Sequence, residues 1–254
     1  MSTSSTSSTS TTLPASHSHM STFNINVIIN GSVATGKSYI QSLLISHFQS
    51  LNYSTSLFPE FIYNDPTALS LLSRRFHAPN PLISPLTFQN FILDKWEYTY
   101  QNQSRSQINI FERLPDDAVE VFSKLTLPPT LYNYHLERLQ SLTLPKYSDF
   151  TPTNTIWIIY ENSFNKSTVP LTDRLTSIIS TISQNKTSPI RNIVVEVRSQ
   201  TSYENYKYRN RSGEIYTPEQ LEELYEIYLQ YTQSKIAEIN SRSLNGEKLE
   251  VISL

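Results

Sequence analysis

Apolar residues along the chain follow two patterns, short β-branched runs and longer stretches that repeat with a helical period. Strands are predicted at residues 23–30, 53–58, 107–111, 193–197 and 248–254. Helices are predicted after the first strand, with apolar positions from 40 to 51, at residues 87–100, within 115–145 and from 217 onward. Residues 64–86 are predicted to be partly irregular. Because strands and helices alternate, we expect an α/β fold with a parallel sheet of about five strands and helices on both faces.

The last predicted helix carries a complete start signal. Thr217 can cap its first turn, Pro218 stands at the first helical position, and Gln220 can close a capping box. Leu221 and Leu224 then fall on one face of the helix, at the spacing of a buried stripe.

Residues 148–190 are ambiguous. The run IWIIY at residues 156–160 fits either a strand or a buried helical turn, because short apolar runs carry no decisive period. The stretch from 163 to 189 has the character of an insertion. We therefore expect a single domain over residues 23–254, with a possible insertion at 148–190.

Residues 1–22 form a Ser/Thr-rich tail without Lys or Arg. Such a segment buries too little apolar surface to offset its ordering entropy, so we predict that it is disordered. It lacks the charged start of a secretory signal and the arginines of a mitochondrial presequence. No apolar run in the chain approaches the roughly 20 residues that span a bilayer. These features favour an intracellular protein, cytoplasmic or nuclear, without a membrane partner.

The overall charge argues against nucleic acid as a partner. The formal net charge is −2, and Lys and Arg are spread along the chain rather than gathered into a basic stripe. The chain has no cysteine, which excludes disulfides and thiolate metal sites. The sequence leaves monomer and homodimer open.

One segment matches the phosphate-binding pattern G-x-x-x-x-G-K-[ST] at every fixed position. It consists of Gly31, Ser32, Val33, Ala34, Thr35, Gly36, Lys37 and Ser38. In this pattern the backbone N–H groups surround the phosphates of a nucleotide, the lysine reaches the terminal phosphates, and the hydroxyl binds Mg²⁺. The segment lies between a predicted strand and a predicted helix, where the helix N-terminus favours an anion. ATP and Mg²⁺ are therefore the expected cofactors. A Ras-like GTPase is disfavoured, because no Asp stands three residues before any of the four glycines.

Three further clusters follow in order: FPE at residues 58–60, FERLP at 111–115 and RNRSGE at 209–214. With the phosphate-binding pattern, they resemble the deoxynucleoside kinases, most closely the thymidine kinases of herpesviruses. The resemblance covers about residues 23–122 and 191–254. It departs from the family at three positions, Phe61, Leu114 and Asn205, where relatives carry Pro, Ser or His, and Arg.

The resemblance implies a role for each cluster. Glu60 would accept the proton of the acceptor hydroxyl, and Glu112 would bind Mg²⁺ with Ser38. Arg113 would hold the acceptor oxygen and the phosphate that passes to it. Arg209 and Arg211 would close as a lid over the phosphates, and Glu214 would contact the sugar.

A helix segment completes the expected acceptor site. Thr-Phe-Gln-Asn-Phe at residues 87–91 is similar to the family helix whose glutamine pairs with the base. Gln89 would then bind the base edge through one donor and one acceptor, with Phe88 against the ring. Tyr63 is a further candidate for substrate contact.

Taken together, these residues predict phosphorylation of a deoxynucleoside, with thymidine favoured, to its 5′-monophosphate, as in nucleotide salvage for DNA synthesis. Two alternatives stay open. A nucleoside monophosphate kinase would share the phosphate loop, the sheet and the lid but accept a phosphate. A nucleotide-binding relative without catalysis would explain the three departures from the family pattern.

Overall fold

Residues 24–60, 62, 65–77, 83–162, 167–185, 187–199, 206, 216–243 and 245–254 are described by a computed structural model. Its strands are β1 Ile25–Asn30, β2 Thr55–Phe58, β3 Ile108–Glu112, β4 Thr155–Glu161, β5 Asn192–Arg198 and β6 Glu250–Ser253. They form one open sheet in the order β2-β3-β1-β5-β4-β6, and every pairing is parallel.

Helices connect these strands and cover the sheet. They are α1 Lys37–Ser50, α2 Pro66–His77, α3 Ile83–Asn102, α4 Lys124–Thr126, α5 Pro129–Ser141, α6 Val169–Gln184 and α7 Pro218–Ser241. A π-helix, Asp117–Ser123, precedes α4, and a 3₁₀ turn, Tyr147–Asp149, follows α5. The described helices are not long and apolar enough for any of them to cross a membrane.

The alternation of side chains along β1 places core residues on both faces of the sheet. Ile25, Val27 and Ile29 pack in one apolar cluster with residues of α1 and α6. Ile28, on the opposite face, belongs to a second cluster that includes residues of α3 and α7. A strand buried on both faces reads as a continuous apolar run, which is how β1 and β5 were recognised in the sequence.

The sheet has six strands rather than the expected five or so. The sixth is β4, whose ambiguous run is a strand paired with β5 on one side and β6 on the other. Part of the segment 148–190 therefore belongs to the core of the fold. β4 is a strand of the sheet, and α6 packs in the same apolar cluster as α1. The sequence gives no direct sign of this pairing, because the partners of β4 lie far along the chain.

Parallel pairing brings the loops after the strands to one edge of the sheet. Ile29 of β1 is in register with Glu112 of β3 and with Val195 of β5. The turn after β1 therefore lies beside the ends of β3 and β5. The carboxyl edge of an open α/β sheet is where such proteins bind their ligands, and the predicted site residues gather there.

Candidate functional site

The turn after β1 depends on two glycines. Gly31 has φ +139°, and a Cβ there would lie 2.3 Å from the carbonyl oxygen of Val197 on β5. Gly36 has φ +90° and is the N-cap of α1. A side chain at either position would be strained, so the chain needs glycine to make this turn. The first turn of α1 contains no acidic residue, which leaves its N-terminus suited to an anion.

Lys37 and Ser38 open α1 and connect the turn to β3. Lys37 is buried, and its Nζ donates a hydrogen bond of 2.5 Å to the carbonyl oxygen of Ser32. The Ser38 hydroxyl donates to the carboxylate of Glu112, 3.0 Å from one oxygen and 3.2 Å from the other. The two residues predicted to bind Mg²⁺ are thus hydrogen-bonded neighbours, although 74 positions separate them in sequence.

Glu60 and Arg113 form an ion pair at the same edge, in which Arg113 is buried and Glu60 is partly buried. The guanidinium donates to the Glu60 carboxylate, and its second nitrogen donates to the carbonyl oxygen of Gly31 at 3.3 Å. Its carbon lies 5.1 Å from the ring centre of Phe122 and 5.5 Å from that of Tyr228. Burial opposes the charge of Arg113, but the surrounding carboxylates, with Glu60 first, hold its pKa above the usual range.

The Glu112 carboxyl is held in an environment that disfavours its charge. Burial raises its pKa, and the negative charge of Glu60 raises it further. Lys37, Arg113 and the Ser38 hydroxyl act in the opposite direction without reversing the shift. A divalent cation at this carboxylate would favour the ionised form. The raised pKa of Glu112 is therefore compatible with a site where the cation binds together with its ligand.

The donor set suits Mg²⁺ when phosphate oxygens complete it. Ser38 and Glu112 supply a hydroxyl and a carboxylate, and oxygen ligands are what Mg²⁺ prefers. Within the described ranges, no group of three or more His, Cys, Asp or Glu side chains could hold a metal by itself. A magnesium ion at Ser38 and Glu112 would therefore share its coordination with substrate phosphates and water, as Mg²⁺ commonly does.

A cavity opens against these groups. Its polar wall consists of Glu60, Gln89, Glu112 and Arg113, and Val33 joins it to the turn after β1. The rest of the wall is mostly apolar and includes the rings of Phe88, Trp96, Phe122 and Tyr216.

The structure brings together most of the predicted site residues that it describes. Gln89 and Phe88 are buried on α3 and both line the cavity. Glu60, Glu112 and Arg113 reach the same cavity from the ends of β2 and β3. Tyr63, Arg209, Arg211 and Glu214 lie outside the described residues.

Asp116 and Asp117, at the start of the π-helix, are both buried. Asp117 begins the π-helix and accepts a hydrogen bond of 2.8 Å from the Leu114 N–H. Burial raises its pKa to about 6, although the Leu114 N–H and Arg113 favour its charged form. Burial also raises the pKa of Asp116 to about 8, with Glu120 and Asp117 adding to the effect. Both acids follow Arg113, whose φ of +69° changes the direction of the chain after β3.

Asn162 is the residue that sequence reasoning missed altogether. It directly follows β4, and its side-chain amide donates a hydrogen bond of 2.8 Å to the carbonyl oxygen of Thr35. No local signal marks it, since the contact depends on where β4 lies in the sheet. Phe122 and Tyr228 were equally hidden, because their role against Arg113 arises from packing between distant segments.

The fold and the site together define an α/β protein with an open parallel sheet and a G-x-x-x-x-G-K-S turn at its ligand-binding edge. No protein-family model matches the sequence, and no curated protein is significantly similar to it.

Proposed function

We propose that this protein transfers the terminal phosphate of ATP to the 5′-hydroxyl of a deoxynucleoside, with thymidine the favoured acceptor, on a P-loop kinase fold. One observation carries the proposal. Glu112 is hydrogen-bonded to Ser38 of the 31–38 turn and also lines the cavity that contains Glu60, Arg113 and Gln89. A phosphate-binding turn and a cavity with a mostly apolar wall thus share Glu112.

On the donor side, the turn and the start of α1 hold the nucleotide phosphates. The backbone N–H groups of residues 31–38 and the Lys37 ammonium counter the phosphate charge. Ser38 and Glu112 would hold Mg²⁺, which would neutralise charge on the phosphate oxygens. The Lys37 contact with the Ser32 carbonyl keeps the ammonium within the turn until phosphates replace that partner.

On the acceptor side, Glu60 takes the proton of the attacking hydroxyl. The hydroxyl oxygen bonds to the γ-phosphorus, the bond from that phosphorus to the bridging oxygen breaks, and ADP leaves. Arg113 lies between Glu60 and the Gly31 carbonyl, so its planar fork can hold the acceptor oxygen and the transferring phosphate. The rings of Phe122 and Tyr228 keep the guanidinium in place.

The cavity wall supports a flat, amide-bearing ring as the far part of the acceptor. Gln89 offers one donor and one acceptor, which complements the edge of a pyrimidine. Phe88 and Trp96 add aromatic surface to the same cavity. Arg113 is the one Lys or Arg on the part of the wall that the structure describes, and it is already paired with Glu60. That balance favours an uncharged acceptor over a nucleoside monophosphate.

The lid belongs to the proposal through the resemblance alone. Arg209 and Arg211 would close over the phosphates, and Glu214 would contact the sugar. These residues follow β5 in the chain, and β5 is parallel to β1. The chain therefore leaves β5 at the same edge of the sheet as the 31–38 turn. Tyr63 would add a contact on the acceptor side.

The test is a transfer screen with γ-labelled ATP and purified protein. The acceptors are the four deoxynucleosides and thymidine monophosphate, and we expect label on thymidine. Lys37→Ala should abolish transfer without loss of the circular dichroism spectrum, whereas Lys124→Ala, at an exposed position on α4, should keep full activity. Label on thymidine monophosphate alone would instead identify a monophosphate kinase. ATP binding without transfer to any acceptor would leave a nucleotide-binding protein.

A further inference from the structure

Asn162 connects β4 to the 31–38 turn, although β4 does not pair with β1. Its backbone N–H donates to the Arg198 carbonyl at 2.8 Å and so extends the pairing of β4 with β5. Its side-chain amide then crosses to the Thr35 carbonyl, also at 2.8 Å. A Cβ placed on Gly36 would lie only 2.5 Å from this amide nitrogen. The side chain therefore lies directly against the Thr35–Gly36 peptide.

This contact fixes the orientation of one peptide group. In a trans peptide the C=O and the following N–H point in opposite directions. When the Thr35 carbonyl is held by Asn162, the Gly36 N–H must point away from Asn162. Gly36, with φ +90°, lacks the steric restriction that would otherwise hold this peptide. Without the bond, the peptide could rotate and turn its carbonyl oxygen toward a bound anion.

The Ser32 carbonyl, in contrast, is held by residues of the turn itself. Thr35 is buried and its hydroxyl donates to the Ser32 carbonyl at 3.1 Å. Lys37 donates to that same carbonyl. The Gly31 carbonyl accepts from Arg113, which follows β3, and the Thr35 carbonyl accepts from Asn162, which follows β4.

We propose that Asn162 is a positioning residue that holds the Thr35–Gly36 peptide in the orientation that binds phosphate, an inference that rests on the nucleotide site proposed above. It sets the direction of the Gly36 N–H through the Thr35 carbonyl and does not itself take part in transfer. β4 thereby contributes to the nucleotide site, because Asn162, which directly follows β4, reaches the 31–38 turn.

The first measurement needs no nucleotide. Hydrogen exchange of residues 31–38 is compared in the unmodified protein, Asn162→Ala and Asn162→Leu, the last of which keeps the volume but loses the donor. We expect exchange in this turn to rise about 3- to 10-fold in both variants, the effect of one net hydrogen bond, while β1 and the rest of α1 stay unchanged. Asn154→Ala is the matched control, because Asn154 directly precedes β4 at its opposite end.

The second measurement is ATP affinity. Loss of the bond should weaken ATP binding by about the same 3- to 10-fold and leave the KM of the acceptor unchanged, since Asn162 is not among the residues that line the cavity. Asn154→Ala should bind ATP as the unmodified protein does. Absence of ATP binding by the unmodified protein would refute the proposed function, while the exchange data would still decide the role of Asn162. Unchanged exchange in residues 31–38, or an equal rise at all amides, would overturn the inference.

Discussion

At the residue scale, the ion pair between Glu60 and Arg113 brings the predicted proton acceptor into contact with the residue predicted to hold the acceptor oxygen. Arg113 forms an ion pair with Glu60, and both residues line the cavity. The ion pair with Arg113 fixes the position of the Glu60 carboxylate. When Arg113 binds the negatively charged phosphate, the carboxylate becomes able to accept the proton of the acceptor hydroxyl. The acceptor, rather than ATP, should therefore be sensitive to changes at Glu60.

Glu60→Gln separates basicity from shape. We expect turnover with thymidine to fall by about 10²- to 10⁴-fold, the usual contribution of a general base, with ATP affinity nearly unchanged. Arg113→Lys should also raise the KM of the acceptor, because the planar fork is lost. Steady-state kinetics measure both effects. Glu250→Gln is the control, since Glu250 pairs with Arg174 and begins the edge strand β6. Near-normal turnover in Glu60→Gln would reduce Glu60 to a structural carboxylate.

The buried carboxyls Asp116 and Asp117 predict a pH dependence of stability. The pKa of Asp116 rises from 3.8 to about 8 on folding, and that of Asp117 from 3.8 to about 6. The folded state then binds more protons than the unfolded state across this window, so stability falls as pH rises from about 4 to 8. Glu120 adds to the shift of Asp116, and Lys235 opposes it.

Asp116→Asn tests this account. The amide keeps an acceptor for the Tyr147 N–H, which the Asp116 carboxylate now binds at 3.2 Å, but it cannot ionise. We expect the decline in the free energy of unfolding between pH 5 and pH 8 to be smaller in this variant. Urea titrations at both pH values measure it, with Asp173→Asn, at an exposed position on α6, as control. An unaltered pH profile in Asp116→Asn would show that the burial of Asp116 has no energetic consequence.

At the element scale, helix starts were partly readable from the sequence. The predicted capping box is confirmed: the Thr217 hydroxyl accepts from the Gln220 N–H, and the Gln220 side chain accepts from the Thr217 N–H. Helix α2 was missed, although Asp65 accepts from the Thr67 and Ala68 N–H groups and Pro66 follows it. The prolines in residues 64–86 favoured an irregular interpretation, so the helix start at Asp65 and Pro66 was not recognised. Helix α3 starts at Ile83, earlier than predicted, because Pro85 is tolerated in a first turn.

Thr217→Ala should lower the free energy of unfolding by about 1 kcal/mol, the usual loss for a missing N-cap. The last long helix, α7, packs Leu221, Leu224 and Tyr228 into the core, so its first turn matters to the whole domain. Thr217→Ser keeps the hydroxyl and should stay close to the unmodified protein. Chemical denaturation of the two variants gives the comparison, and equal stabilities would show that the capping box contributes nothing.

At the scale of the whole molecule, β4 lies between β5 and β6 rather than in an appended segment. Trp157 of β4 is fully buried, and its indole N–H donates to Glu196 of β5 at 2.9 Å. Trp157→Ala should cost about 3–5 kcal/mol, the range for removing a buried aromatic side chain. Tyr98→Ala, at an exposed position on α3, should cost little. A small loss in Trp157→Ala would mean that β4 adds little to the fold.

The N-terminal tail offers the opposite expectation. Deletion of residues 2–20 should leave the melting temperature and the turnover unchanged, because a Ser/Thr run buries almost nothing. These residues lie outside the described ranges, so the expectation rests on composition. Thermal denaturation and the transfer assay test it, and a large loss of either property would reveal a docked or functional segment.

The sequence alone determined the features that depend on neighbouring residues. The turn 31–38, the strands β1, β3 and β5, and the cap of α7 follow from residue types within a few positions of one another. The candidates Glu60, Glu112 and Arg113 stand directly at or after strand ends, and parallel strands bring such ends together. That rule is general enough to apply before any contact is known.

Only the tertiary structure decided the features that depend on distant pairs. The place of β4 between β5 and β6 comes from hydrogen bonds to strands far along the chain. The same placement carries Asn162 to Thr35, 127 positions away. The burial of Asp116 and Asp117 likewise depends on which segments pack over the turn after Arg113. Local residue preferences do not encode these contacts, because their energies arise only when the sheet and its covering helices assemble.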